Sequence, residues 1–207
     1  EHVGVRVGKA INAALAGENL AKYHYLLKLD ADVKLHPESL ERHVRLGADL
    51  VGLGPFMLIK MEKFLSILGG RWPETPCDDG YILYSFTSRG AVFHPFSPDS
   101  VAVKRRGGAL ESWRYYYLRG ADDFRIGINP VTELRITLKL VKKRGSLHPV
   151  FTYLGYLTAL AKRKEFYNFA SVVFRETLRS ECEIWSKRIV KVAHAYKLVL
   201  SYTCNKA

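Results

Sequence analysis

Cysteine is scarce in this chain, and long apolar runs are missing from it. The 207 residues include three cysteines, Cys77, Cys182 and Cys204. Their odd number and wide spacing argue against a disulfide framework and a zinc site, so a reducing compartment fits best. No run approaches the roughly 20 apolar residues that cross a bilayer, and the first residues lack a signal-peptide layout. We therefore expect a cytoplasmic protein, soluble or bound peripherally to the cytoplasmic face of the membrane.

Acidic residues are also few relative to basic ones. The chain has 20 Asp and Glu against 32 Lys and Arg, a net charge of +12. This surplus favours polyanionic partners, whether nucleic acid, anionic lipid or phosphorylated ligands, without choosing among them. The seven histidines are scattered and none is at metal-ligand spacing with another or with cysteine. A P-loop and a serine nucleophile elbow are both missing from the sequence, so those two enzyme classes are not indicated.

The hydrophobic pattern divides the chain into two zones. Residues 1–100 alternate short apolar runs with amphipathic segments, which is typical of an α/β layer fold. The predicted helices there are Val7–Leu15, Pro37–Leu46, Met61–Leu68 and a segment from Asp78 or Asp79 to Ser88. The predicted strands are Tyr25–Leu29, which we expect to be buried, Ala48–Leu53 and Ala91–Phe96. Residues 101–207 are predicted to be mainly helical, with segments near 110–120, 130–144, 148–163 and 166–201.

Two acids follow the first predicted strand directly. Asp30 and Asp32 are separated by one residue and project from the carboxyl end of Tyr25–Leu29. In open α/β sheets, ligands bind at that edge. Carboxylates there suit Mg²⁺ or Mn²⁺, which usually take further ligands from substrate phosphates. A solvated turn is the alternative for an isolated Asp-x-Asp, because Asp favours turns for its own backbone hydrogen bonds.

Further motifs occur in a recognisable order around these acids. A helical segment carrying Gly8, Lys9 and Asn12 precedes the strand, and a proline-led helix follows it at Pro37. Next come Pro55–Lys60, then Gly69–Glu74, which runs into Cys77-Asp78-Asp79. This order resembles the second half of the nucleotide-binding domain of family 2 glycosyltransferases, of the archaeal type. It is similar to their Gly-Lys-x-x-x-Asn-x-Gly helix, Asp-x-Asp motif, Gly-Gly-(Phe/Trp)-x-Glu stretch and Glu-Asp motif, over roughly residues 4–160.

The resemblance implies a fold and an activity. The fold would be a partial GT-A domain, Rossmann-like with a mixed sheet, over residues 1–100, followed by a mainly helical C-terminal region over 101–207. The activity would be inverting transfer of a sugar from a UDP- or GDP-sugar to a glycan, protein or polyprenyl-phosphate acceptor. The family's opening strands, which hold the nucleobase, have no counterpart here. We therefore expect a glycosyltransferase chain that either lacks that half of the domain, which could leave it inactive as a fragment, or is a degenerate relative.

The resemblance also assigns roles to residues. Asp79, with Asp78 as its neighbour, would be the general base that takes the proton of the acceptor hydroxyl. Asp30 and Asp32 would hold Mn²⁺ or Mg²⁺. The donor would be bound by Asp30, Asp32, Lys9, Asn12, Arg105, Arg106, Trp113 and Arg114. The acceptor would be contacted by Gly69, Gly70 and Trp72.

Alternatives stay open at several of these positions. Either Asp78 or Asp79 could cap the helix that runs to Ser88, and Trp72 could be a packing residue. The basic–aromatic stretch 104–119 could be a solvated loop. A second acidic pair, Asp122-Asp123, follows no strand and is predicted to lie on the surface. The alternative function is a basic module that binds nucleic acid or an anionic membrane without catalysis.

Overall fold

A computed structural model describes residues 2–31, 33–96, 101–103 and 112–204, with side chains at those positions up to 187 except at 101–103. In these ranges the strands are β1 (Tyr25–Leu29), β2 (Val33–Leu35), β3 (Leu50–Val51), β4 (Phe56–Lys60), β5 (Phe93–His94) and β6 (Val101–Val103). The helices are α1 (Val3–Leu15), α2 (Ser39–Arg45), α3 (Met61–Leu68), α4 (Asp78–Thr87), α5 (Trp113–Ile126), α6 (Pro130–Arg144), α7 (Val150–Ala161) and α8 (Ala170–Cys204). None of the helices in the described ranges has the length and apolarity needed to span a lipid bilayer.

The sheet is small, open and mixed. Its strand order is β1-β4-β3-β5, with β1 and β3 antiparallel to β4, and β3 parallel to β5. Leu27 lies opposite Leu58, and Leu50 lies opposite Ile59. Strand β4 is buried over four of its five residues because it is continuously apolar and lies inside the sheet. The expected α/β class is confirmed.

Strand β1 was predicted to be buried, and this is wrong. It lies at one end of the strand order, and Leu27 and Leu29 are 37% and 39% exposed. The apolar run Tyr25–Leu29 set the strand bounds correctly but could not tell an edge strand from a central one. Phe56–Lys60, by contrast, was not predicted as a strand, although its first four residues are buried.

Helix α1 packs its small residues against the segment that leads into α4. A Cβ at Gly4 would lie 2.5 Å from the carbonyl oxygen of Thr75, and one at Gly8 would lie 2.6 Å from that of Pro73. The helix begins at Val3, four residues before its predicted start. The side chain of His2 caps it by accepting a hydrogen bond from the backbone N–H of Gly4. Imidazole is an uncommon cap, and this explains the misplaced start.

The helices after residue 112 pack on one another and on α4. Helices α5 and α7 cross with their backbones in contact, because Gly120 faces the Thr152 carbonyl and Gly155 faces the Tyr117 carbonyl. Tyr81 of α4 makes edge contacts with the rings of Tyr167 and Phe169, near the start of α8. The predicted mainly helical character of this region is confirmed. Its packing on α4 places α5 opposite the end of β1.

Candidate functional site

A cavity of about 390 Å³ lies where α1, β1, α4 and α5 approach one another. Its charged lining comes from both parts of the chain: Lys28, Asp30, Asp78, Asp79, Arg119 and Asp123. Apolar side chains of α1, α4 and α6, such as Val7, Leu83 and Ile136, complete the wall. The predicted residues Asp30, Asp78 and Asp79 are thus brought to one place, although they are far apart in the sequence.

The backbone pairing of β1 with β4 fixes the position of Asp30. The N–H of Asp30 donates to the carbonyl oxygen of Pro55 at 2.9 Å, just beyond the paired residues. Nζ of Lys28 lies 2.8 Å from Oδ1 of Asp30 and also donates to the carbonyl oxygen of Gly54. Lys28 lines the cavity and its side chain is only 12% exposed, so its ammonium group is part of the site. Lys28 was not predicted as a site residue, because one lysine in a strand carries no specific signal.

Asp78 and Asp79 open α4 and lie in different environments. Asp78 is buried, and its Oδ2 accepts a hydrogen bond from Nε1 of Trp72 at 3.0 Å. Burial raises the pKa of Asp78 to about 6, with a further upward contribution from the charge of Asp79, while the Trp72 hydrogen bond and Lys28 oppose the rise. Asp79 is only half-buried. Its Oδ2 lies 3.6 Å from the point that a Cβ at Gly54 would occupy, so the lack of a side chain at Gly54 keeps space beside this carboxylate.

Helix α5 contributes a second charged wall of the cavity, whose residues were not predicted from the sequence as part of the site. Tyr115, Arg119 and Asp123 all line the cavity. They are spaced four residues apart, which places them on one helix face, and this spacing is the signal that could have identified them. Nε of Arg119 lies 3.6 Å from Oδ2 of Asp123. Burial alone would lower the pKa of Arg119, but the charges of Asp123, Cys77, Tyr115 and Glu133 together raise it above its usual value, so the guanidinium stays charged.

The prediction that Asp122 and Asp123 lie on the surface is wrong. They are 2% and 4% exposed. Asp122 accepts hydrogen bonds from the backbone N–H of Cys77, at 3.0 Å, and from the hydroxyl of Tyr167, at 2.7 Å. Burial raises the pKa of Asp122 and raises that of Asp123 to about 6, in the second case against the charge of Arg119. Asp122 therefore ties the start of α4 to α5, and Asp123 borders the cavity.

Asn12 and Trp72 hold the fold together and do not offer contacts to a ligand. The Asn12 amide donates to the carbonyl oxygen of Trp72 and to Oε1 of Glu74, and its oxygen accepts from the N–H of Trp72 at 2.7 Å. Both amide hydrogens and the amide oxygen of Asn12 thus bond within the protein. The predicted contact of Asn12 with a nucleotide-sugar donor is therefore not supported. Trp72 is 1% exposed and packs beside Phe64. Its ring has no open face for an acceptor sugar, so that prediction is corrected as well.

Three other predicted contacts lie away from the cavity lining. Gly69 and Gly70 adopt positive φ angles of 65° and 73°, and Gly69 ends α3 by donating to backbone carbonyls of that helix. The end of α3 explains why glycine occurs at both positions, since this backbone conformation favours glycine. Lys9 is exposed on α1 and does not line the cavity.

The predicted donor contacts of the basic–aromatic stretch separate into two groups. Trp113 is 48% exposed in the first turn of α5, beside Phe151 of α7, and Arg114 lies over its ring with Cζ 5.6 Å from the centroid. Neither residue lines the cavity. Arg105 and Arg106 lie outside the described residues, as does Asp32.

The side chains that could bind a metal ion limit the kind of metal site that the cavity could form. The Asp30 carboxylate lines the cavity, and hard cations prefer such oxygen ligands. In the described part of the chain, no three His, Cys, Asp or Glu side chains come together as a metal-binding group. Mn²⁺ or Mg²⁺ at Asp30, whose Oδ1 is paired with Lys28, would have to take further ligands from a substrate's phosphates, the usual mode for Mg²⁺. The residues of the site do not fit an ion held by described side chains alone.

No protein-family model matches the chain, and neither the search of curated proteins nor that of solved structures found a match.

Proposed function

We propose that the cavity is the site of an inverting, metal-assisted glycosyltransferase with a GT-A-type fold. The observation that carries the proposal is the meeting of Asp30, from the end of β1, with Asp79, from the start of α4, in one cavity. These are the two positions at which the order of motifs resembles the metal-binding and base motifs of family 2. The donor would be a nucleotide-diphosphate sugar, and the acceptor a hydroxyl or a lipid phosphate.

Asp79 is the better candidate for the general base. A base must reach the proton that it removes, and it must be accessible to the acceptor. Asp79 is half-buried and borders the space left at Gly54, whereas Asp78 is buried and accepts the indole N–H of Trp72. Asp78 would therefore hold the first turn of α4 in place, and Asp79 would act on the acceptor.

The reaction has a simple balance. Asp79 takes the proton of the acceptor hydroxyl as its oxygen bonds to the anomeric carbon, from the face opposite the leaving group. The bond from that carbon to the phosphate oxygen breaks, and the nucleoside diphosphate leaves with the electron pair. A bound Mn²⁺ or Mg²⁺, held by Asp30 and the phosphates, would offset the charge of the diphosphate. Lys28 and Arg119 add fixed positive charge to the same cavity, which favours an anionic ligand.

The test compares two neighbouring carboxylates by changing each to its neutral isostere. We expect Asp79→Asn to lower the release of nucleoside diphosphate from UDP- and GDP-sugars with Mn²⁺ by about 10²–10⁴-fold, the usual contribution of a general base. Asp78→Asn is the matched control. It keeps an oxygen that can accept from Trp72, so its effect should be much smaller.

Two outcomes would contradict the proposal. One is an Asp79→Asn variant that is folded, as judged by circular dichroism, and as active as the wild type. The other is a wild type that releases no nucleoside diphosphate from any of these donors, with water or an added acceptor.

A further inference from the structure

Helix α7 carries an exposed stripe that is apolar over its whole length. Val150, Leu154, Leu157 and Ala161 are all exposed, and they recur at spacings of four, three and four residues. The opposite face, with Thr152, Gly155, Tyr156 and Ala159, is buried. Leu154 and Leu157 are 46% and 39% exposed. A surface helix normally faces water with polar or charged side chains, and α7 has no charged residue at all.

Basic residues flank this stripe on both sides. Lys142, Lys143 and Arg144 end α6, and Lys162, Arg163 and Lys164 follow α7 directly; all six are exposed. Between Glu133 and Glu165 the sequence contains eight Lys or Arg residues and no acid. The stripe thus lies in a segment whose charged residues are all positive. This favours a negatively charged binding partner.

An aromatic and basic pair lies at the first turn of α7. Trp113 is 48% exposed and contacts Phe151, with ring centroids 5.6 Å apart. The exposed Arg114 lies over the Trp113 ring. Trp with an adjacent cation is typical of the boundary between lipid and water, because the indole is apolar over most of its surface and polar at one edge. Leu147, just before α7, is 73% exposed and extends the apolar surface.

We propose that α7 lies flat on an anionic lipid surface, with Val150, Leu154, Leu157 and Ala161 inserted among the acyl chains. The flanking cations and Arg114 would contact lipid phosphates. Apolar side chains between clusters of Lys and Arg are the pattern of an interfacial helix. A helix of 12 residues is about 18 Å long, so it would lie along the surface without crossing it.

Charge argues against the other occupants of this surface. A second copy of the chain docked face to face would bring two positive segments together, which costs free energy. Nucleic acid would satisfy the cations but would leave the leucines of the stripe exposed to water, since single strands stack on aromatic rings. An anionic membrane satisfies the cations and buries the leucines at the same time.

The proposal is independent of the proposed sugar transfer, because the stripe faces away from the buried side of α7 and none of its residues lines the cavity. The experiment is flotation of the full chain with vesicles of phosphatidylcholine alone or mixed with phosphatidylglycerol, without donor or metal. We expect flotation with the anionic vesicles only, and weaker flotation at high salt, because salt screens the attraction.

Two matched variants identify the surface. Leu154→Gln/Leu157→Gln should lower the vesicle partition coefficient about tenfold or more, since it removes two apolar side chains from the lipid contact. Leu178→Gln, at a 43% exposed leucine on α8, should bind as the wild type does. Both substitutions lie at exposed positions, and thermal melts should show that both variants stay folded. Asp79→Asn should also float like the wild type, which separates this proposal from the activity of the cavity.

Several results would overturn the proposal. The first is wild-type protein that floats with neither kind of vesicle. The second is a Leu154→Gln/Leu157→Gln variant that binds anionic vesicles as tightly as the Leu178→Gln control does. A wild-type dimer in size-exclusion chromatography that the stripe variant loses would assign the surface to contact between copies. Binding of an RNA oligonucleotide that excludes vesicles would assign the cations to nucleic acid.

Discussion

At the scale of single residues, the adjacent carboxylates of Asp78 and Asp79 lie in different environments. Both line the cavity, but Asp78 is buried and accepts the Trp72 indole N–H, whereas Asp79 is half-buried. Pairs of titratable groups in unlike environments are a feature of acid–base sites, because each environment sets its own pKa. The raised pKa of Asp78, about 6, follows from burial beside a second negative charge. This asymmetry is the reason for preferring Asp79 as the base.

Glu133 gives a prediction at the same scale. It is fully buried on α6, and burial raises its pKa from 4.5 to about 8, with Asp123 adding to the rise and Arg119 opposing it. The folded protein therefore keeps this proton while the unfolded chain loses it as pH rises through 4.5. The contribution of Glu133 to stability is present at low pH and is lost between about pH 4.5 and 8.

We expect Glu133→Gln to remove most of this loss. In urea denaturation, the variant should be more stable than the wild type at pH 8, by on the order of a few kcal/mol, and close to it at pH 4.5. Glu176→Gln, at an exposed position of α8, should leave the pH dependence unchanged. If the wild type and Glu133→Gln lose stability equally between the two pH values, Glu133 is ionised in the fold and this account of it is wrong.

At the scale of elements, the crossing of α5 with α7 depends on glycine. A Cβ at Gly120 would collide with the Thr152 backbone, whereas one at Gly145 would meet no atom within 4 Å. Gly145 has a φ of 62°, so Gly145→Ala measures backbone strain alone, about 1–2 kcal/mol. Gly120→Ala forces two helices apart and should cost about 3 kcal/mol or more.

Thermal melts of the two alanine variants test this comparison, because the chemical change is the same in both. We expect a clearly lower Tm for Gly120→Ala than for Gly145→Ala. Equal melting temperatures, or a less stable Gly145→Ala, would show that the two helices can separate at little cost.

The elements differ in how well the sequence predicts them. The bounds of Met61–Leu68 were predicted correctly, because the apolar spacing ends at two glycines. Strand β4 was not predicted, since it passes directly into α3 with no turn residue to mark its end. The site residues also differ in how well the sequence predicts them. Asp30 and Asp79 belong to motifs, but the approach of Arg119 to them depends on how α5 packs against α4. The burial of Asp122 depends on the same packing and could not be read from its neighbours.

At the scale of the whole molecule, the charges and the exposed leucines separate into two regions. The carboxylates meet inside the cavity between the sheet and α5, while the basic clusters flank the apolar stripe of α7. A transferase arranged in this way would hold its donor in the cavity and lie on a surface that presents lipid phosphates. The two proposals fail separately, because α7 contributes none of the cavity lining.

The central claim is that the cavity binds a nucleoside diphosphate through a divalent ion at Asp30, and calorimetric titration with UDP and GDP tests it most directly. We expect one nucleotide to bind the wild type with Mn²⁺, and to bind about tenfold or more weakly without metal or to Asp30→Asn. Glu62→Gln, at an exposed position on α3, should bind as the wild type does. Absence of binding by both nucleotides with Mn²⁺, or equal binding by Asp30→Asn, would contradict the claim.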